Sequence, residues 1–186
     1  MKQNKGLKNA YAAGLLDGEG CIRITKIPPR EKGISPQYEL IVFITQKDGR
    51  MMDWLVGNFG GFIYLKNKKS FRENTKNWIY EWHVNNSKAY AFLKAIYPFV
   101  TTKKNQVEIA MRFQSRLNSS VNRLNKRKLS ENELRIRESL RLSLSAEKTN
   151  FHSCSVMPQK EYMFNSLCAG LETKSEHSSP LGDEKR

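Results

Sequence analysis

Asp17-Gly18-Glu19-Gly20 is the stretch of this chain whose residue types and spacing best suit chemistry. It follows Ala10-Tyr11-Ala12-Ala13-Gly14-Leu15-Leu16, a run with the Ala and Leu content of a helix. The spacing predicts a short helix over 10–16 stopped by glycine, with Gly18 and Gly20 bending the backbone so that Glu19 projects past the helix end. The negative end of the helix dipole lies there, a poor place for a carboxylate unless a cation joins it. A hard divalent ion held by Glu19 and the carbonyl of Gly18 would resolve that conflict. The same run gathers Ala10, Ala13 and Gly14 on a face with almost no side-chain bulk, which another helix can approach closely.

Elements that can position this turn follow in a regular order. Residues 21–27 and 37–45 alternate apolar and polar types around a loop with three prolines, and predict two strands. Met51, Trp54, Leu55 and Phe59 fall at helical spacing before Gly60-Gly61. A second hairpin is expected over 62–68 and 78–84, then a helix over 88–97 capped by Ser87 and stopped by Pro98. A helix over 103–117 and another opened by the capping box Ser130-Glu131-Asn132-Glu133 complete the pattern. The expected fold is α+β, in the order α-ββ-α-ββ-α with extra C-terminal helices.

Composition narrows the partner. The chain has 186 residues, 32 Lys and Arg against 18 Asp and Glu, and a net charge of +14, which on one small domain points to a polyanion, with nucleic acid ahead of an anionic membrane surface. No apolar run is long enough for a membrane span. The charge divides as +8 over 1–100, +7 over 101–148 and −1 over 149–186, so the functional domain is expected over 1–149 and a polar, flexible tail over 150–186. His152, Cys154, Cys168 and His177 in that tail match no structural zinc spacing. Three cysteines cannot all pair, and Met1–Asn9 resembles neither a signal nor a transit peptide, so an intracellular, reducing compartment is expected.

With these elements in order, residues 10–20 resemble the signature of the LAGLIDADG homing endonucleases. Thr45-Gln46-Lys47 closing the second strand, and Pro98-Phe99 followed by Lys103-Lys104-Asn105-Gln106, resemble the single-motif members. The resemblance runs over about residues 7–148. It departs at Ala12, where the family usually has Leu, and carries Glu19 where many members have Asp; neither change removes the carboxylate. It implies a homodimer joined through the motif helices by Ala10, Ala13 and Gly14, with each Glu19 binding Mg²⁺ between the subunits and the scissile phosphates of double-stranded DNA. It further implies that Gln46, Arg50 and Lys103 are catalytic, ordering water and offsetting phosphate charge, while Asp17 serves capping and orientation. An intron-encoded member would belong to a chloroplast or mitochondrion, and otherwise to a bacterium or phage.

Strand alternation then assigns the DNA-facing side. Ile22, Ile24, Tyr38, Leu40, Val42 and Ile44 turn to the core, leaving Cys21, Arg23, Thr25, Gln37, Glu39, Ile41 and Phe43 outward. The second hairpin adds Tyr64, Lys66, Lys68, Glu81 and His83. Of these, Arg23, Thr25, Gln37, Glu39, Tyr64, Lys66, Lys68, Glu81 and His83 are expected to read base edges and phosphates, Arg and Lys suiting guanine and Gln adenine. An eight-residue strand at ~3.4 Å per residue spans about eight base pairs, so a dimer would read a long pseudo-palindromic site. Two other functions compete: an RNA-binding maturase for intron splicing, served by the basic segment 101–148, and a non-cleaving DNA-binding regulator. Intact Glu19 speaks against the regulator.

Overall fold

Ile22 and Ile24 in one run, and Tyr38, Leu40, Val42 and Ile44 in the next, recur at every second residue, and this alternation dictates a sheet with one buried face. The computed structural model describes residues 5–69, 76–119 and 129–150. In chain order the elements are α1 (Lys5–Glu19), β1 (Gly20–Ile27), β2 (Gln37–Gln46), α2 (Gly49–Phe59), β3 (Phe62–Lys69), β4 (Lys76–Asn85), α3 (Asn86–Ile96), a 3₁₀ turn at Tyr97–Phe99, α4 (Lys104–Asn118) and α5 (Glu131–Asn150). The strands form one antiparallel sheet in the order β1-β2-β4-β3.

Register puts the expected core residues in line. Ile22 lies opposite Val42, which lies opposite Val84; Ile44 lies opposite Trp82, which lies opposite Ile63. Ile22, Val42, Val84, Ile44 and Trp82 are fully buried beneath the helices, packed in one core with Leu16 of α1, Leu55 of α2, Leu93 of α3, Phe113 of α4 and Leu144 of α5. Each such side chain gains about 1.5–3 kcal/mol by leaving water, so this core fixes which face of the sheet is left open. Among the described residues no helix is long and apolar enough to cross a membrane.

Local details depart from expectation at three places. The first helix is not confined to 10–16: it runs from Lys5 to Glu19 and takes in Gly18. The stop is Gly20, where a Cβ would lie 2.7 Å from the backbone of Leu16, so only glycine lets the chain leave the helix straight into β1. Ser87 does not cap α3; Asn85 occupies that position, and the Ser87 hydroxyl donates to Asn118 instead. The capping box is half made. Ser130 Oγ accepts from the Glu133 N–H at 3.2 Å, but the Glu133 carboxylate turns away to Arg116 and Arg137, because burial demands cationic partners for it.

α5 is tied to the sheet by a second ion cluster. Glu138 accepts from the Tyr38 hydroxyl at 2.7 Å and pairs with Arg141 and Lys26. Bonds from Arg141 and Tyr38 pull the Glu138 carboxyl down to about 2, while burial and the Glu138 bond push the Tyr38 phenol up to about 12. The α2–β3 turn needs Gly60 (φ 71°) and Gly61 (φ 91°), and a Cβ at Gly61 would lie 2.3 Å from the His83 carbonyl. The tail expected beyond residue 150, with His152, Cys154, Cys168 and His177, lies outside the described residues.

Candidate active site

The last turn of a helix leaves carbonyl oxygens without partners, and α1 fills part of that need from outside. Lys103, at the start of α4, sends its ammonium to the carbonyls of Leu16 at 2.8 Å and Asp17 at 2.7 Å. In return the Asp17 carboxylate accepts from the backbone N–H of Thr101 at 2.8 Å and of Lys103 at 3.0 Å. Burial raises the Asp17 carboxyl, but these backbone bonds outweigh it and hold the group below its ordinary value. Burial lowers the Lys103 ammonium, against the pull of Asp17, Cys21 and Glu19. Asp17 thus occupies the capping place expected of it, and Lys103 braces the helix end beside the motif acid.

Glu19 is treated in the opposite way. It is the last residue of α1, it is exposed, and it makes no hydrogen bond or ion pair among the described residues. With the helix-end carbonyls of Leu16 and Asp17 taken by Lys103, Glu19 and the adjoining Gly18 carbonyl form an oxygen-only donor set, the kind a hard divalent cation accepts. No group of three or more His, Cys, Asp or Glu among the described residues could hold a metal within one chain. The donors fit such an ion but do not complete its shell.

Two other expected catalytic residues lie elsewhere on this end of the fold. Gly20 pairs with Ile44, so Thr45 and Gln46 reach the edge of the sheet where Glu19 sits, and Gln46 is half-buried with its carbonyl oxygen on the Lys47 N–H at 3.3 Å. Arg50 stands in the first turn of α2, its guanidinium clasped by Asp48 at 2.6 Å while Asp48 also caps the Arg50 N–H at 2.9 Å. Each raises the charged form of the other, and the Arg50 side chain remains 92% exposed.

The outer sheet face divides into open and occupied positions. Arg23, Gln37, Tyr64 and Lys66 are exposed, and the Arg23 guanidinium lies 5.6 Å from the centre of the Phe43 ring. Thr25 and Glu39 are half-buried; Glu39 accepts from Asn85 at 2.9 Å and Asn86 at 3.3 Å, while Thr25 Oγ1 has no hydrogen-bond partner among the described residues. Lys68 lies in β3 opposite Asn77. Glu81 and His83 correct the sequence reading: they share the expected face but are buried, at 6% and 9% exposure, and paired with each other. Aromatic neighbours cover them, a crowding that alternation alone does not reveal.

The face expected to join two subunits also differs from the sequence reading. Ala13 is fully buried inside the subunit's own core and offers nothing to a partner. Ala10 is half-buried, whereas Leu7, Tyr11, Gly14 and Gly18 are exposed at spacings that set them along one side of α1. A Cβ at Gly14 would meet nothing within 4 Å. Sequence reasoning missed Lys148, which α5 delivers to the rim of the site, its ammonium 3.4 Å from Cys21 Sγ and repelling Lys103. Only tertiary packing across more than a hundred residues brings it there, and no local pattern signals it.

A family model for LAGLIDADG endonucleases matches residues 12–109, from the buried alanines of α1 into α4. No curated protein matches the chain. Among solved structures, the homing endonuclease I-CvuI, in complex with the I-CreI target in the presence of Mg, is 16% identical, with 77% of this chain and 83% of that one covered and a TM-score of 0.62. The archaeal intron-encoded homing endonuclease I-Vdi141I, complexed with DNA, is 23% identical, covering 77% and 86% at a TM-score of 0.60. I-SmaMI, bound to cleaved DNA, is 20% identical at a TM-score of 0.53, and the match takes 72% of this chain but 42% of that one. At these identities the structures speak for the fold, which all three share with this chain. The match over residues 12–109 goes further: the chain belongs to the LAGLIDADG endonuclease family.

Proposed function

We propose that the chain is a divalent-metal-dependent homing endonuclease that works as a homodimer and breaks both strands of a long, pseudo-palindromic DNA site. The observation that carries this reading is Glu19: an exposed carboxylate without partners among the described residues, at the foot of a helix, beside Lys103 on a chain of net charge +14. Glu19 and the Gly18 carbonyl would hold the cation, which when bound supplies the Lewis acidity that phosphodiester hydrolysis needs. The crystal structures of I-CvuI with Mg and with Ca are consistent with such an ion. Because one chain offers one carboxylate and an incomplete shell, the second comes from the second subunit, across the stripe of Leu7, Tyr11, Gly14 and Gly18. Two sites then face two strands.

The chain's own residues have separate tasks. Lys103 fixes the end of α1 and adds positive potential where phosphate charge accumulates. Gln46, at the sheet edge, orients water, and Arg50 faces the phosphate backbone with Asp48 holding it. Arg23, Gln37, Tyr64 and Lys66 supply the outer face that meets DNA in the major groove. The test is to incubate purified protein with a randomised duplex library and Mg²⁺ and sequence the cut ends. Double-strand ends bearing one long motif with two-fold symmetry are the expected result. Uncut duplex bound at such a motif would favour the regulator, and binding of intron RNA with no cut DNA the maturase.

A further inference from the structure

A polar cluster on the outer face of the sheet has no task in the reading above. Glu81 and His83 lie two residues apart on β4, on the same face. The His83 ring is stacked between Phe43 of β2, 5.4 Å away at 17°, and Phe62 of β3, 5.7 Å away at 21°, with Tyr64 edge-on at 4.8 Å. His83 Nε2 lies 2.5 Å from Glu81 Oε2. Because an ionised carboxylate only accepts, that nitrogen carries the proton. Thr45 Oγ1 donates to the other oxygen, Oε1, at 3.4 Å. Both carboxylate oxygens are therefore anchored, and Glu81 cannot swing.

The remaining partner is Lys66. It stands diagonally across from Glu81, opposite Ile79 on β3, and its ammonium is in contact with Glu81 Oε2 although its side chain is 54% exposed. A lysine ordinarily meets DNA as a mobile point charge that settles on phosphate. Here the carboxylate offsets that charge and fixes the ammonium over the sheet, while its other N–H donors have no partner among the described residues. Burial opposes ionisation of Glu81, but the bonds from Lys66 and His83 prevail and keep it charged. A neutralised donor in a fixed place gains little from phosphate and much from a base-edge acceptor.

We infer that Glu81, locked by His83 and Thr45, is a specificity-determining positioning residue that makes Lys66 a reader of a base edge, a guanine-type acceptor in the major groove, instead of a phosphate contact. The inference rests on the proposed DNA-facing role of this sheet face and deepens it. Its consequence is that a buried carboxylate, which itself never touches DNA, sets the preference at one base pair in each half-site.

The test compares Lys66→Met, Glu81→Gln and Arg23→Ala by profiling binding across single-base variants of the selected site and by the salt dependence of affinity. Lys66→Met is expected to lose about tenfold discrimination at one base pair per half-site with its salt slope unchanged. Glu81→Gln is expected to lose discrimination at the same base pair while its salt slope steepens by about one, because the freed ammonium now neutralises a phosphate. The inference is overturned if Lys66→Met weakens all sequences alike and flattens the slope by about one, or if folded Glu81→Gln keeps the parent profile. Should Glu81→Gln fail to fold, Lys66→Met decides between these outcomes alone, since its side chain is largely in solvent. If Arg23→Ala and Lys66→Met both leave affinity and preference untouched, the DNA-facing reading itself falls; if Arg23→Ala alone alters them, only the inference does.

Discussion

The foot of α1 and the outer face of the sheet each present carboxylates, and they treat them in opposite ways. Glu81 has both oxygens engaged by Thr45, His83 and Lys66, and Glu39 is held by Asn85 and Asn86. Asp17 is spent on the N–H groups of Thr101 and Lys103. Glu19, two residues from Asp17, has no such bond among the described residues. A carboxylate held in place by several protein donors orients its neighbours, whereas one with no such bonds at the negative end of a helix is electrostatically poised for a cation. On the proposed reading the same side-chain type serves geometry on the sheet and chemistry at the helix end.

The strongest way to break this contrast is Glu19→Gln. The side chain is exposed and makes no bond among the described residues, so the fold should hold within about 0.5 kcal/mol. Cleavage should fall by about 10³-fold or more, with DNA binding retained or tightened as a negative charge leaves the phosphates. Single-turnover cleavage alongside an equilibrium binding titration separates the two effects, and a variant that cuts at the parent rate would remove Glu19 from the site.

Gly14→Leu probes the proposed dimer. Inside the subunit the new side chain meets open space, and leucine is a better helix former than glycine by up to about 1 kcal/mol. Subunit stability should therefore be unchanged or higher while the dimer separates, and double-strand cutting disappears with it. Sedimentation velocity and thermal melting together check this; a variant that remains dimeric would place the interface elsewhere.

Much of this arrangement was legible in the sequence, for definite physical reasons. Alternation over 21–27 and 37–45 gave the core face because Ile22, Ile24, Leu40, Val42 and Ile44 leave no other register, but it did not show that Ile41, on the outward side, is itself buried. At 17–20 only Gly20 has a steric cause and ends the helix; Gly18, where a Cβ would meet nothing within 4 Å, stays helical, so the expected stop at 16 came too early. What stayed hidden depends on neighbours distant in the chain. Ala13 and Gly14 look alike as small residues, but one is buried by the fold and the other open. His83 reads as an exposed polar residue until Phe43 and Phe62 close over it, and Lys148 reaches Cys21 only when α5 packs against β1.

On the sheet, Arg23→Ala should act on recognition and leave chemistry alone. Arg23 is exposed, and its guanidinium lies 5.6 Å from the centre of the Phe43 ring on the outer face of the sheet. Loss of a bidentate base contact is expected to cost about 1–3 kcal/mol in affinity for the selected site and to relax preference at one position of each half-site. Cleavage of fully bound DNA should proceed near the parent rate, in contrast to Glu19→Gln. An affinity loss spread evenly over all sequences would instead assign Arg23 to phosphate.

The smallest effect is expected from Asp17→Asn, which tests whether the two acids of one turn are separable. Asp17 has its carboxyl held below the ordinary range by the N–H groups of Thr101 and Lys103. A group depressed in this way contributes stability above its unfolded value of about 4 and loses it as pH falls through the lower folded value. Asparagine keeps one acceptor oxygen for these N–H groups but not the charge, so the variant should be less stable by about 1 kcal/mol at neutral pH. As the medium is acidified below pH 4, the parent sheds this advantage and the two stabilities should converge. Denaturant unfolding at neutral pH and near pH 3 measures the convergence. Because Glu19 is left in place, cleavage should fall far less than in Glu19→Gln, through looser placement of Lys103 and the helix end. A loss as deep as that of Glu19→Gln would mean that both acids of the turn do chemistry, and the division of labour between the capped and the bare carboxylate would not stand.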